Sequence, residues 1–280
     1  MAIRGVPIFN PNGLRWDVNL NYSQNKSEVK ELFGEIDEIS VGTGFTSLGF
    51  VQKVGEAYGV IKGTKHRRDD EGNLLINQDT GYAMTDTEQG VIGDPNPDFV
   101  ASLSNMFSYK GVTLSFLLEY KKGGDLYSNT VNDLRARGVA EETAVNREAG
   151  RIIRGVVADP TDPSKPLLVN GNKVVNDRII TTNDYYFRGF PAGEASIYDA
   201  TTFRLRELTI AYTLPKKLLQ GTPFGSVTVS ALGRNLWFYA PNIPHIDPET
   251  NGYGAGNRQG IEYYYLPNAR RFALSLKVTL

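Results

Sequence analysis

Between positions 15 and 23, Trp16, Val18, Leu20 and Tyr22 alternate one for one with Arg15, Asp17, Asn19, Asn21 and Ser23. Successive side chains of a strand point to opposite faces, so a period of two predicts a strand with one apolar and one polar face. Residues 99–109 repeat the pattern with Phe99, Ala101, Leu103, Phe107 and Tyr109 on one face, interrupted by Asn105. After the tight Lys110-Gly111 step, Val112, Leu114, Phe116, Leu118 and Tyr120 alternate with Thr113, Ser115, Leu117 and Glu119, which predicts a hairpin. The last segment sets Phe272, Leu274, Leu276, Val278 and Leu280 opposite Arg271, Ala273, Ser275, Lys277 and Thr279. Residues 202–214 and 226–237 are strand-like through β-branched and aromatic content, with looser alternation. Residues 3–9, followed by Asn10-Pro11-Asn12-Gly13, predict the tail of an earlier strand ending in a turn, which makes six full strands and a remnant.

The connections are of two kinds that take turns along the chain. Short ones lie at residues 10–13, 110–111 and 215–225, and long ones at residues 26–98, 121–201 and 238–269. An up-and-down outer-membrane barrel has this asymmetry, with short periplasmic turns and long extracellular loops. Structureless loops beyond about 12–15 residues are uncommon in compact soluble domains, which disfavours a sandwich or a lipocalin-like barrel. The predicted class is therefore all-β, a partial antiparallel up-and-down transmembrane β-barrel spanning residues 1–280. With Leu280 on the periplasmic side, the long connections face outward. A plugged lumen takes about 22 strands, so about six to eight strands are not expected to close alone.

Composition narrows the partners. The 30 Lys and Arg balance 31 Asp and Glu, which leaves no electrostatic footprint for nucleic acid. Cysteine is absent, which removes disulfides, thiolate zinc sites and cysteine nucleophiles. No stretch approaches the roughly 18 apolar residues of a membrane helix. A strand that shows lipid only every second residue needs no such stretch. Met1, Ala2, Ile3 and Arg4 open the chain without an apolar run or a cleavage site, so an exported protein is expected to have further sequence upstream.

Three motifs stand in the second half: Phe203-Arg204-Leu205-Arg206-Glu207-Leu208-Thr209-Ile210-Ala211-Tyr212-Thr213-Leu214-Pro215, then Gly233-Arg234-Asn235-Leu236-Trp237, then Asp247-Pro248-Glu249. Upstream come Ile92-Gly93-Asp94-Pro95-Asn96-Pro97-Asp98-Phe99, Asn105 with Phe107-Ser108-Tyr109-Lys110-Gly111, and Gly123-Gly124-Asp125. In order and spacing these resemble the C-terminal barrel region of SusC/RagA-type TonB-dependent transporters of Bacteroidota-like bacteria, over nearly the whole chain. The resemblance implies part of an outer-membrane importer of oligosaccharides or peptides, with lipid around its wall. Its implied partners are a SusD-like surface lipoprotein acting as a lid and TonB-ExbB-ExbD energy coupling through the family's N-terminal region. It marks Arg206, Glu207, Tyr212, Pro215, Gly233, Asn235, Asp247 and Glu249 as structural motif positions. Lid docking in the family uses extracellular loops, which singles out residues 26–98 and 121–201. Two departures stand out. The family usually ends in an aromatic residue and this chain ends in Leu280, and the family's signal peptide, TonB-contacting segment and plug would all lie upstream of Met1.

The remaining chemistry is sparse. Gly252, Gly254, Gly256 and Gly260 lack the strand-loop-helix context of a phosphate loop and read as a mobile extracellular loop. His66 and His245 have no second ligand at metal spacing and read as loop histidines. Asp159, Asp162 and Asp177, or Asp247 with Glu249, match no calcium loop and read as solvated turns, while Asp94 and Asp98 flank prolines as turn formers. Trp16, Tyr120, Trp237 and Phe238 read as strand-end aromatics at the lipid interface. Aromatic faces stack on sugar rings, so Tyr185-Tyr186-Phe187 and Tyr263-Tyr264-Tyr265 are candidate substrate or lid contacts, against the plainer reading of a girdle or loop-on-loop packing. A second functional reading is a secreted carbohydrate-binding β-domain that uses these clusters, which would need a soluble monomer. No nucleophile-base or metal constellation supports an enzyme, and no cofactor is expected.

Overall fold

The computed structural model describes residues 1–43, 48–252, 256 and 258–280. Seven of its strands pair in chain order into one antiparallel sheet: β1 (Ala2–Phe9), β2 (Arg15–Ser23), β3 (Pro97–Tyr109), β4 (Val112–Gly123), β5 (Thr202–Thr213), β6 (Ser226–Tyr239) and β7 (Arg271–Thr279). The predicted remnant is thus a full strand. β1 pairs only with β2 and β7 only with β6, so among the described residues the sheet stays open at both edges.

Register partners share a face, which lets the alternation be traced across the whole wall. Ile8, Trp16, Phe107, Leu114, Ile210, Ala231 and Leu274 are partners in turn across all seven strands. One residue away, Arg15, Ser108, Thr113, Ala211, Ser230 and Ser275 form the row of the opposite face. The apolar face is bare: Leu274 is 85% and Phe272 77% exposed. A soluble sheet of this size would bury such a face against a second layer. Among the described residues no such layer covers it, as suits a lipid-facing wall. Aromatic rings crowd the loop end of the face, where Phe99 packs on Tyr22 and Tyr120 and Phe203 on Trp237. Tyr109 and Tyr212 stand at the other end. From Phe99 to Tyr109 is ten residues along β3, about 26 Å of height at about 3.4 Å per residue and a tilt of about 40°, close to the apolar band of an outer-membrane wall.

Asn105, the one break in the pattern of β3, is 4% exposed because the rings beside it cover it. Trp16 Nε1–H donates to Asn105 Oδ1 at 3.1 Å, and the indole stacks on Phe107, which stacks in turn on Phe116. A carboxamide on a lipid face is costly only if left unsatisfied, and the neighbouring strand supplies the donor.

The three long connections, residues 24–96, 124–201 and 240–270, all leave the sheet at the same end. They are folded, which the expectation of irregular loops missed. Among the described residues, every buried apolar side chain apart from Leu219 in a turn lies in them. Leu48, Phe50 and Ile61 of the first loop pack with Tyr127 of the second and Ile261 of the third. Ile76 and Ala83 pack with Ile153 and Ile180, and Leu126 and Ala200 with Ile243. Two parallel pairings stitch the loops together, Leu75–Ile76 with Val156–Val157 and Tyr127 with Ile261. The two ends of the predicted mobile glycine loop are pinned. Gly260 sits at φ +85° with its backbone oxygen accepting from Tyr127 N–H, and a Cβ there would lie 2.7 Å from Pro95. Gly252 N–H donates to the backbone oxygen of Ile261, Gly256 is exposed, and Gly254 lies outside the described residues.

Trp16→Phe keeps the stacked ring and strips Asn105 of its donor, so a closed barrel carrying this segment is expected to lose roughly 1–2 kcal/mol in urea unfolding from lipid vesicles. Trp16→Phe combined with Asn105→Leu recovers most of that loss.

Candidate functional site: an arginine clasp and a tyrosine-lined cleft

Strict alternation fails once in β5, and that failure builds the first site. Leu205 faces Leu118 of β4 while Glu207 faces Leu117, so Arg206 is an inserted residue of a β-bulge. On the other side the pairing jumps from Trp237 to Arg234, leaving Asn235 and Leu236 between them. Asn235 takes φ +54°, a left-handed conformation that asparagine tolerates better than other side-chain-bearing residues. The bulge brings Arg204, Arg206 and Glu207 together on the polar side.

Both arginines reach into the third loop. Arg204 donates to both carboxylate oxygens of Asp247, and both side chains are 1% exposed. It also donates to Asn235 Oδ1 at 3.3 Å and lies over the Phe238 ring at 4.7 Å. Arg206 donates to Glu249 Oε2 at 2.6 Å and also engages Glu249 Oε1 and Glu119 of β4. Glu249 N–H donates back to Asp247, and Asn235 Nδ2 donates to the backbone oxygen of Asn268 at the far end of the loop. Glu207 pairs with Arg234 at the exposed margin. The three sequence motifs therefore meet as one clasp that holds the third loop against the wall.

Of the eight motif positions, Arg206, Asn235, Asp247 and Glu249 lie in the clasp and Glu207 beside it. Gly233 flanks the bulge, where a Cβ would meet Leu236 at 2.8 Å. Tyr212 stands at the opposite end of the apolar face, and Pro215 opens the short helical turn Lys216–Leu219. Asp247 and Glu249, read as solvated turn acids, are instead ion-paired. Glu119 is a clasp member that sequence reasoning did not select, Arg204 stood in the quoted motif without a role, and Phe238, read as a lipid-interface aromatic, instead shares the polar face with its register partner Arg204 and lies under that guanidinium. Two arginines separated by one residue, ahead of a glutamate that breaks the alternation, were the available signal.

The two aromatic triplets part company. Glu262, fully buried, accepts from Ser128 Oγ, Thr130 Oγ1, Thr130 N–H and Tyr265 N–H. Ser128 is also the N-cap of α1 (Asn129–Ala136), so Glu262 anchors the third loop at that helix start. Tyr264 donates its hydroxyl to Asp133 and accepts from Asn129 at 2.8 Å, and the Asp133 bond pushes its pKa up to about 12. Tyr265 donates to the backbone oxygen of Gly252, and Tyr263 packs edge-on against Tyr264. Tyr263, Tyr264 and Tyr265 are thus occupied in loop-on-loop packing.

Tyr185, Tyr186 and Phe187 lie on α2 (Thr182–Phe187), capped by Thr181. Tyr185 and Tyr186 turn into an open cleft of about 540 Å³ between the first and second loops, and Phe187 does not line it. His66, Arg68, Asn132, Arg135, Phe190 and Tyr198 complete most of its wall. His66 Nδ1 lies 2.8 Å from Glu194 Oε1, while Nε2 accepts from Ala192 N–H at 3.4 Å. Burial outweighs the carboxylate and pulls the His66 pKa below its ordinary value, so the ring is neutral with its proton on Nδ1. Burial alone would push the Glu194 carboxyl up, but Arg68 and His66 together hold it below the usual carboxylate range. His245 sits apart, paired with Glu142, whose carboxyl is held down to about 2 by Arg135 and His245 against its partial burial. Asp159 and Asp162 cap turns through Thr161 and Ser164.

Removing one partner of a buried ion pair strands the other charge. Arg204→Met is therefore expected to cost about 3–5 kcal/mol in attachment of the third loop, read as faster proteolysis within residues 240–270 of a folded barrel. Arg204→Met with Asp247→Leu restores most of the protection.

No protein-family model matches the chain. TonB-dependent receptor P3 of Formosa agariphila is 24% identical over 94% of this chain and 26% of its own length. TonB-dependent receptor P26 of the same organism is 26% identical over 96% of this chain and 27% of its own length. The chain thus spans about a quarter of the curated relatives it matches. Among solved structures, the RagAB peptide transporter superposes over 99% of this chain and 28% of its own, with a TM-score of 0.62 at 16% identity. The closed-closed state of the RagAB peptide importer gives 0.60 at 15% identity over the same shares. The open apolar wall, the loops gathered at one end, and the sequence relatives agree: over nearly its whole length the chain is similar to a part of the TonB-dependent receptors, and its fold is that of a β-barrel wall segment.

Proposed function

We propose that this chain supplies seven wall strands and a folded extracellular loop layer to an outer-membrane importer of glycans or peptides. A SusD-like surface lipoprotein serves as its lid, and TonB-ExbB-ExbD drives uptake through other parts of the receptor. The observation that carries the reading is the combination of a bare apolar sheet face with three loops that fold on one another at one end of it. The face requires hydrocarbon, and a layer of loops with its own cores suits a surface that must hold shape above a membrane. The relatives carry receptor names and the structural neighbours are described as importers or transporters, which supports a transport role over an enzymatic one. A soluble carbohydrate-binding domain is disfavoured by Phe272, Leu274 and Leu276, which such a protein would leave in water.

In a cell expressing the receptor that carries this segment, loss of TonB is expected to abolish uptake of labelled cargo while surface binding persists, and the lid lipoprotein is expected to copurify with the receptor. Uptake that continues without TonB contradicts the proposal.

A further inference from the structure

The geometry points to the cleft between the first and second loops as a binding site for a neutral oligosaccharide. This deepens the importer reading and rests on it for the ligand's role as cargo. Three observations on the cleft carry it.

The first is its aromatic lining. Tyr185, Tyr186, Phe190 and Tyr198 all border one space of about 540 Å³. Tyr185 meets both Tyr186 and Phe190 nearly edge-on, at ring distances of 5.1 and 5.2 Å, so the three rings form a corner whose planes differ. Arg151 does not line the cleft and backs Tyr185 and Tyr186 at 5.4 and 5.1 Å, fixing the rings from behind. Rigid aromatic surfaces of this kind suit the C–H faces of sugar rings and cost little ordering on binding.

The second is charge. Every charged group at the wall is already matched within the loops. Arg68 pairs with Glu194 at 2.7 Å, and Glu194 also holds the neutral His66. Arg135 pairs with Glu142, donates to Tyr198 Oη at 2.8 Å and lies over the Tyr198 ring. An acidic sugar or a free peptide terminus would meet no unmatched counter-charge and would have to break one of these pairs.

The third is unused hydrogen-bonding capacity. Among the described residues, neither the carboxamide of Asn132, which is exposed, nor the hydroxyl of the half-buried Tyr185 has a protein partner. A planar amide with two donors and an acceptor, next to a phenol, meets the hydroxyl pairs of an uncharged sugar in both roles. Asn132 projects from α1, which Glu262 and Tyr264 tie to the third loop, so the amide stands on an anchored helix.

The test is calorimetric titration of the detergent-solubilised receptor carrying this segment with cellohexaose, mannohexaose, maltohexaose, hexagalacturonate and a free hexa-alanine peptide. At least one neutral hexasaccharide is expected to bind, hexagalacturonate and hexa-alanine are not, and Tyr186→Ala or Asn132→Leu is expected to weaken saccharide binding at least tenfold. Phe187→Ala, on the same helix but outside the cleft, leaves it unchanged. Asn132→Leu removes no internal hydrogen bond, so the question stays decidable if Tyr186→Ala misfolds. Peptide binding that depends on these residues, saccharide binding indifferent to both variants, or no binding by any neutral hexasaccharide overturns the site. Such a result with TonB-dependent uptake intact leaves the importer reading standing, whereas loss of TonB dependence with cleft binding intact sinks that reading alone.

Discussion

Hydrocarbon offers no water to a backbone N–H or C=O, so a spanning strand must find both partners in neighbouring strands while every second side chain faces lipid. That constraint accounts for the sheet. Each strand pairs with the next in sequence, and the rows from Ile8 to Leu274 keep one apolar face through five successive pairings after the first. It also accounts for the single exception, since Asn105 is tolerated on that face only beneath the Trp16 indole that donates to it.

Giving the apolar face to lipid leaves the wall no core of its own, and the buried side chains lie instead in the connections. The loops are held by contacts between distant parts of the chain: Phe50 with Tyr127 and Ile261, Glu262 with Ser128 and Thr130, Arg206 with Glu119 and Glu249. The first two bind loop to loop, and the third binds loop to wall. A buried arginine–carboxylate cluster adds little net stability over an apolar replacement, but it tolerates few alternative placements of the loop. The cleft beside α1 and α2 therefore rests on a scaffold tied to the strands below it.

The wall was legible in the sequence because period-two alternation is local, and Trp16 to Tyr22 or Phe272 to Leu280 declare their faces without help from the rest of the chain. The loops were not legible for the opposite reason. Pairings such as Leu75 with Val156 are two residues long and join segments far apart, too short for any period to show. The clasp was half visible: its motifs could be quoted and alternation alone puts Arg204 and Arg206 on one face, but that Glu207 would join them depended on a bulge, and Asp247 looked like a turn acid until Arg204 covered it. The tyrosine triplets looked alike in sequence, yet one lines a cleft and the other spends its hydroxyls on Asp133 and Gly252.

The decisive question is which way the two faces of the wall look. The chain has no cysteine, so single cysteines can be placed at each position from Phe272 to Lys277 in a closed barrel carrying this segment, spin-labelled, and exposed to lipid-soluble oxygen and a water-soluble nickel chelate. Labels at 272, 274 and 276 should collide with oxygen and those at 273, 275 and 277 with the chelate. Equal access at all six positions, or the reverse alternation, would contradict a lipid-facing wall.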